Sequence, residues 1–222
     1  MITSIERAIV ERLRRGLGEM VLDVTTYSGE LDDDPGEIVR RLPSAWVTFG
    51  GIVKTERYST SRQKRIATGR FVVVVGDYND RDDESARHGG VNLNEVGTNR
   101  LVTSVRRLIT GQDLGLKIDY FEPGRVRTLF NTRMKDQALA VFACEFDTRW
   151  VELALENGRW PERSGDPASP DADFNIYRGE LSDPDPDFLR VGMRYHQPGT
   201  RPEDDPEDLV ELQEPDHDSG RD

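Results

Sequence analysis

The run "GRFVVVVGDYN" at residues 69–79 most constrains how this chain folds. Phe71 is followed by four consecutive valines, so apolar side chains point to both sides of an extended backbone. Such a run is typical of a strand that is buried on both faces, because strands exposed on one side alternate apolar and polar residues. We therefore predict that 69–79 is a central strand of a β-sheet.

Further strands are predicted on both sides of this run. Before it come "VLDVTTY" (21–27), "AWVTF" (45–49) and "IVKTERY" (52–58), and Gly50-Gly51 leaves open whether the last two are one bulged strand or two strands. After it, "LKIDY" predicts a short strand, Glu122-Pro123-Gly124 predicts a turn, and "RVRTLF" predicts another strand. The closing strand is "ALAVFACEFDTRW" (138–150), whose strict alternation places on one face Ala140, Phe142, Cys144, Phe146 and Trp150.

Two longer helices and one short helix are predicted. Ile5, Ile9, Leu13 and Leu17 recur every four residues after a Thr3-x-x-Glu6 capping box, and Gly16 and Gly18 end this helix. A second capping box, Asn92-x-x-Glu95, precedes a helix that ends at Gly111. That helix is predicted to turn inward Leu101, Val105 and Leu108, with Val102 and Ile109 as secondary contacts. A short helix is predicted from Asp34-Pro35 to Pro43. The fold class is α+β, a mixed sheet packed with these helices.

The charge divides the chain into two parts. Residues 1–154 contain 23 acidic and 23 basic side chains, whereas residues 155–222 contain 19 acidic and 7 basic ones, which accounts for the whole net charge of −12. We predict an α+β domain at 1–154 and an acidic, Pro-rich extension at 155–222, with one short strand within 188–195. The extension has too little apolar surface to fold alone, so it is either ordered by a partner or disordered.

Composition argues against several classes of protein. The acidic balance argues against nucleic-acid binding by the molecule as a whole, because clustered Lys and Arg hold a phosphate backbone. One cysteine cannot form an internal disulfide, no apolar run approaches the roughly 20 residues that span a bilayer, and the charged N-terminus is unlike a signal peptide. We expect a protein that is soluble and cytosolic when made, without a membrane partner.

Catalytic and metal-binding patterns are weak in this sequence. His88, His196 and His217 are far apart, and Cys144 lies mid-strand among aromatic residues, which is typical of a small buried side chain. An EF-hand loop starting at Asp77 would need Gly and Glu where Asp82 and His88 stand. We expect no catalytic residue, no metal site and no cofactor. The competing enzyme hypothesis is a nucleotide hydrolase that holds a divalent metal with Asp77, Asp80 and Asp82.

A basic cluster surrounds the hairpin tip "STSRQK". It is either a solvated hairpin or a docking arm for an acidic partner, with nucleic acid as a weak third alternative because few aromatic residues lie nearby. A second basic pattern, Arg125-x-Arg127 with Asn131, suits a solvated strand and a subunit contact equally well. The candidate interface residues are Lys54, Arg57, Arg62, Lys64, Arg65, Arg125, Arg127 and Asn131, and Arg70 belongs to the same basic cluster.

Five segments resemble a known family. They are "IERAIVERLR", "YSGELDDD", "LPSAWVTFGG", "LITGQDLGLKIDYFEPGRVRTLFN" and "QALAVFACEFDTRW", and together they are similar to the Mu-type phage tail protein family over about residues 2–152. Members are encoded beside the tail sheath and tube genes and are assigned as tail terminators. The acidic extension departs from the shorter members.

The resemblance implies a structural virion protein. A terminator forms a ring, usually a hexamer, on the last tube layer, stops polymerisation and faces the head-side connector. It implies as partners other copies of the chain, the tube protein, the sheath protein and connector proteins, with DNA only passing through the lumen. The protein would reside in the tail or neck of the virion and in the host cytoplasm during assembly.

Two alternatives stay open beside the ring. The chain could be another neck, tail-completion or head–tail connector subunit. The acidic extension of one subunit could also lie along a neighbour or on the sheath as an electrostatic strap, since a segment that orders on binding needs contact at many points.

Overall fold

The computed structural model describes residues 1–29, 40–60, 63–79, 97–134, 137–166, 169–182, 190–195 and 207–211. The chain divides into two compact units, Met1–Ala154 and Leu155–Asp222. The predicted capping box at Asn92 and the three histidines lie outside the described residues, as do residues 34–39 of the predicted short helix at 34–43.

The first unit is a five-stranded mixed sheet with two long helices, which confirms the α+β fold class. Its strands are β1 (Asp23–Thr26), β2 (Ser44–Arg57), β3 (Lys64–Asn79), β4 (Glu122–Met134) and β5 (Gln137–Leu153), in the order β1-β2-β3-β5-β4. β1 is parallel to β2, and the other neighbours are antiparallel. The valine run lies in β3 at the centre of the sheet, as predicted. One continuous strand, β2, covers both 45–49 and 52–57, with irregular pairing around Gly50-Gly51.

Both long helices pack on one face of the sheet. α1 (Ile2–Leu17) buries Ile5, Ile9, Leu13 and Leu17, as their spacing predicts, and α2 (Thr98–Ile109) buries Leu101, Val105 and Ile109. Arg12 Nε donates a hydrogen bond of 2.5 Å to the Leu108 carbonyl and so ties the two helices together. Because apolar side chains of β2, β3 and β5 face these helices, the main core lies between the helices and the sheet.

The opposite face of the sheet carries a second, smaller apolar cluster: Leu42, Trp46, Val74, Leu139, Val141 and Ala143. Val73 and Val75 belong to the main core, whereas Val74 belongs to this second cluster. The valine run therefore supplies both cores, which is the physical reason that it lacks polar alternation.

Four local predictions are wrong. Thr3 makes no capping hydrogen bond, because α1 already begins at Ile2 and Thr3 lies inside it. Leu108 is only partly buried, and Ile109 takes the fully buried position. Residues 116–120 form turns rather than a strand, because the Leu116 and Ile118 amides bond to carbonyls two or three residues back. Glu122–Gly124 begins β4 rather than forming a turn, and its pairing with β5 shifts after Pro123, which is a position where an edge strand tolerates proline.

The second unit contains a short helix and a hairpin. The helix α3 (Ala172–Ile176) is followed by strands β6 (Arg190–Arg194) and β7 (Glu207–Glu211), which pair antiparallel. β6 confirms the short strand predicted within 188–195. β7 was not predicted, because the sequence around it is acidic and of low complexity.

Candidate assembly interface

β2 continues past the core as an exposed stretch paired with the first residues of β3, and we call these two segments the arm (Ile52–Arg57 and Lys64–Gly69). Every side chain of β2 from Ile52 to Arg57 is exposed, including Ile52 at 44% and Val53 at 53%. β1 pairs with β2 only at Ser44–Val47, so in the described chain no strand pairs with the outer edge of the arm. On its other side the arm pairs with the end of β5, up to Leu153.

A glycine contact marks where the arm leaves the core. The indole of Trp150 lies directly over Gly69, and a Cβ at this glycine would collide with the ring. Trp150 is 4% exposed, and its Nε1 donates a hydrogen bond of 3.0 Å to Glu152 Oε1. Glycine is therefore required here for close approach of the ring, and the packed indole anchors the base of the arm.

The basic residues of the arm lie on both of its faces. Arg57 and Arg65 are direct cross-strand partners in the β2–β3 register, so their side chains share the face on which the helices pack. On the opposite face Lys54 forms a salt bridge of 2.7 Å with Glu56. Lys64 lies 6.0 Å from the centre of the Tyr58 ring, within the range of a cation–π contact. The arm thus brings together four of the eight candidate interface residues.

Three of the other candidates, all on β4, do not join this cluster. Arg125 and Arg127 lie on β4, at the far edge of the sheet, with β5 and β3 between them and β2. Arg62 lies outside the described residues. Asn131 of β4 pairs with Ala140 of β5, but its side chain is not described. The two basic patterns of the sequence therefore occupy two separate locations on the sheet.

A buried charge network occupies the middle of the opposite face. The Arg70 guanidinium donates to both carboxylate oxygens of Asp147 at 2.7 and 2.8 Å, and its Nη1 lies 2.9 Å from Glu145 Oε2. Arg127 Nε lies 2.9 Å from the other oxygen, Glu145 Oε1. The Glu145 side chain is only 5% exposed, so two arginines from neighbouring strands compensate a buried carboxylate. Arg70 and Arg127 therefore pair with carboxylates of their own subunit instead of presenting unpaired charges to a partner.

Sequence reasoning missed the acidic members of this network. Glu145 and Asp147 alternate with Cys144 and Phe146 in β5, which is a visible sign that their side chains share the face opposite the core. Arg70 lies opposite Asp147 in the register, but the register is known only from the fold. A groove of about 480 Å³ beside this network is lined partly by Asp113, Asp119, Glu122 and Asp147.

Asp77, which the enzyme hypothesis treats as a metal ligand, has a structural role. It is 4% exposed, and its carboxylate accepts hydrogen bonds of 2.8 Å from the amides of Tyr78 and Gly97. These contacts join the end of β3 to the residue that precedes α2. Asp80 and Asp82 lie outside the described residues, and within the described part no group of three or more His, Cys, Asp or Glu side chains is arranged to hold a metal.

Cys144 is buried in the main core, and burial raises the pKa of its thiol to about 11 from an ordinary value of 9.0, although Arg106 opposes the shift. Because the unfolded chain loses this proton first, the neutral thiol stabilises the fold fully below pH 9. That contribution is lost as pH rises towards 11, by at most about 2–3 kcal/mol.

We expect two measurable consequences of the buried thiol. At pH 8 a thiol-reactive dye should label the native protein only at the rate of its unfolding, whereas denatured protein should label at once. The free energy of unfolding should also fall between pH 9 and 11 more steeply in the natural chain than in Cys144→Ala. Rapid labelling of the native chain, or equal pH slopes, would contradict the buried assignment.

These features define a class of protein. It is a small α+β scaffold whose sheet carries an apolar cluster on each face. Its distinguishing surface is the basic arm formed by β2 and β3. In the described part of the chain, no helix has both the length and the apolar character needed to cross a membrane.

The comparisons give the particular family. Residues 1–151 match the family model described as Bacteriophage Mu, Gp37, and the chain therefore belongs to this family. The match confirms the resemblance to Mu-type phage tail proteins and assigns the chain to the structural proteins of phage virions. No curated protein matches the chain.

Proposed function

We propose that the chain is a tail terminator. In this proposal, several copies form a ring on the last layer of the tail tube, stop its polymerisation and present a surface to the head-side connector. The proposal includes contacts with the tube and the sheath, and it assigns the chain no enzymatic activity and no cofactor. It rests chiefly on the family match over residues 1–151, which covers the α+β unit.

The arm supports a ring because of where it lies. A ring needs a heterologous contact, in which one patch on a subunit meets a different patch on the next subunit. An arm that projects from one side of the sheet, with exposed Ile52 and Val53 beside basic side chains, is suited to reach a neighbour. Apolar residues inside a charged surround are typical of subunit contacts.

Two measurements test the proposal: the mass of the assembly and its position on isolated tails. We expect native mass spectrometry of the full chain, or of material recovered from tails, to give a ring near six times 25.2 kDa, about 151 kDa. Gold-labelled antibody should mark the head-proximal end of isolated tails. A strictly monomeric chain that is absent from tail ends would reject the proposal. Recovery with heads rather than with tails would favour the alternative of a connector subunit.

A further inference from the structure

Two arginines of the arm, Arg57 and Arg65, form no ion pair with another residue of the described part of the chain. Arg57 and Arg65 lie directly opposite each other on neighbouring strands, and like charges in this position destabilise a sheet. Glu152 is the partner of Arg65 on β5, but its carboxylate accepts the Trp150 indole hydrogen bond. No salt bridge within the described residues joins Glu152 to Arg65. The pair therefore presents two positive charges on an arm that also carries exposed Ile52.

The acidic extension contains a segment of the opposite character. Residues 201–222 hold ten Asp or Glu side chains and two arginines. Within this segment β7 forms one half of a two-stranded sheet with β6, and such a sheet is marginally stable by itself in water. Met193 and Val210 of this sheet, and Tyr195 directly after β6, are 42–48% exposed. The hairpin thus offers apolar side chains within an acidic surround.

We propose that Arg57 and Arg65 of one subunit bind the acidic segment 201–222 of a second copy of the chain. The charges are complementary, and the exposed apolar residues of the arm match those of the hairpin. The contact joins two different patches, so it is heterologous and repeats around a closed ring. This inference rests on the proposed ring and names the surfaces that hold it together.

A charge-swap experiment tests the contact. One full-length variant carries Arg57→Glu and Arg65→Glu. A second carries Glu203→Lys, Asp204→Lys, Asp205→Lys, Glu207→Lys and Asp208→Lys, which changes the net charge of residues 201–222 from −8 to +2. We expect each variant alone to self-associate about tenfold more weakly than the natural chain at low salt, as measured by sedimentation velocity, because each brings like charges together. An equimolar mixture should recover the loss, because a reversed arm then meets a reversed segment on the other chain. All differences should shrink as salt rises.

A matched control separates the effect of losing this contact from a general effect of net charge on self-association. Arg100→Glu with Lys117→Glu makes the same change of −4 at two exposed residues on other surfaces, and it should associate like the natural chain. If the variant with Arg57→Glu and Arg65→Glu has a lowered melting temperature, the milder pair Arg57→Gln and Arg65→Gln replaces it. This pair should weaken self-association in the same direction but by less.

Each result decides the inference. Association of either variant at the natural strength overturns it, and so does a loss that mixing fails to recover, since only a contact between chains is restored by mixing. A natural chain that never associates also overturns it. The proposed function is decided separately by antibody labelling. If the antibody still labels the tail end when the chain carries these substitutions, the terminator proposal stands although the contact proposal fails.

Discussion

Phe71→Ala is expected to lower the free energy of unfolding of the α+β unit by about 3–5 kcal/mol, the range for removing a buried aromatic ring. Phe71 is fully buried in the central strand. Its ring lies 5.3 Å from that of Phe49 and 6.0 Å from that of Phe121, the second in edge-to-face geometry. The substitution therefore removes buried area and two aromatic contacts together.

The measurement is urea denaturation of the full chain, followed by tryptophan fluorescence. Tyr120→Ala is the matched control, because this aromatic residue lies next to Phe121 but is 64% exposed, and it should change stability by less than about 1 kcal/mol. Equal effects of the two substitutions would show that Phe71 does not occupy the main core.

Arg70→Met is expected to cost about 2–3 kcal/mol, because it leaves Glu145 and Asp147 without their shared guanidinium. Breaking a buried pair by removing one partner typically costs about 3–5 kcal/mol, and the lower figure reflects an Arg70 side chain that is 31% exposed. Arg127→Met removes the other arginine on Glu145, but its side chain is 56% exposed, so we expect about 1 kcal/mol or less.

A combined variant tests the cause of this cost. In a background of Glu145→Gln and Asp147→Asn, the loss on adding Arg70→Met should be clearly smaller, because no buried carboxylate is left uncompensated. Denaturation midpoints of the four chains give the comparison. A loss of the same size in both backgrounds would mean that Arg70 acts through its packed methylene groups rather than through its charge.

The elements with strong periodicity were predictable from the sequence. The stripe of α1 has one apolar face, whereas β5 and the valine run of β3 supply apolar side chains to both clusters, so burial alone determines the type of each element. The chain near Gly111 shows the limit of such reasoning. Gly111 ends α2 with a φ of 73°, as predicted, but the apolar residues after it pack on the core from turns. Short apolar runs do not distinguish a strand from a packed loop.

The candidate interface was predictable only in part. A basic hairpin at 54–70 follows from local sequence, and the arm confirms that Lys54, Arg57, Lys64 and Arg65 lie close together in this hairpin. Local sequence does not tell which arginines are already paired inside the subunit. Arg70 and Arg127 meet Glu145, which is 75 and 18 residues away along the chain, and only the strand order brings them together. Long-range register therefore determines which arginines are paired inside the subunit.

The pairing of β3 with β5 has a mechanical consequence. It runs without a register shift from Asn79 opposite Ala138 to Lys64 opposite Leu153, so the same two strands cross the core and continue into the arm. Hydrogen bonds in an antiparallel pair lie perpendicular to the strands, and a force along the arm loads many of them at once in shear. The arm is therefore continuous with the core of the protein, and its strands should stay paired at its base when a force is applied along them.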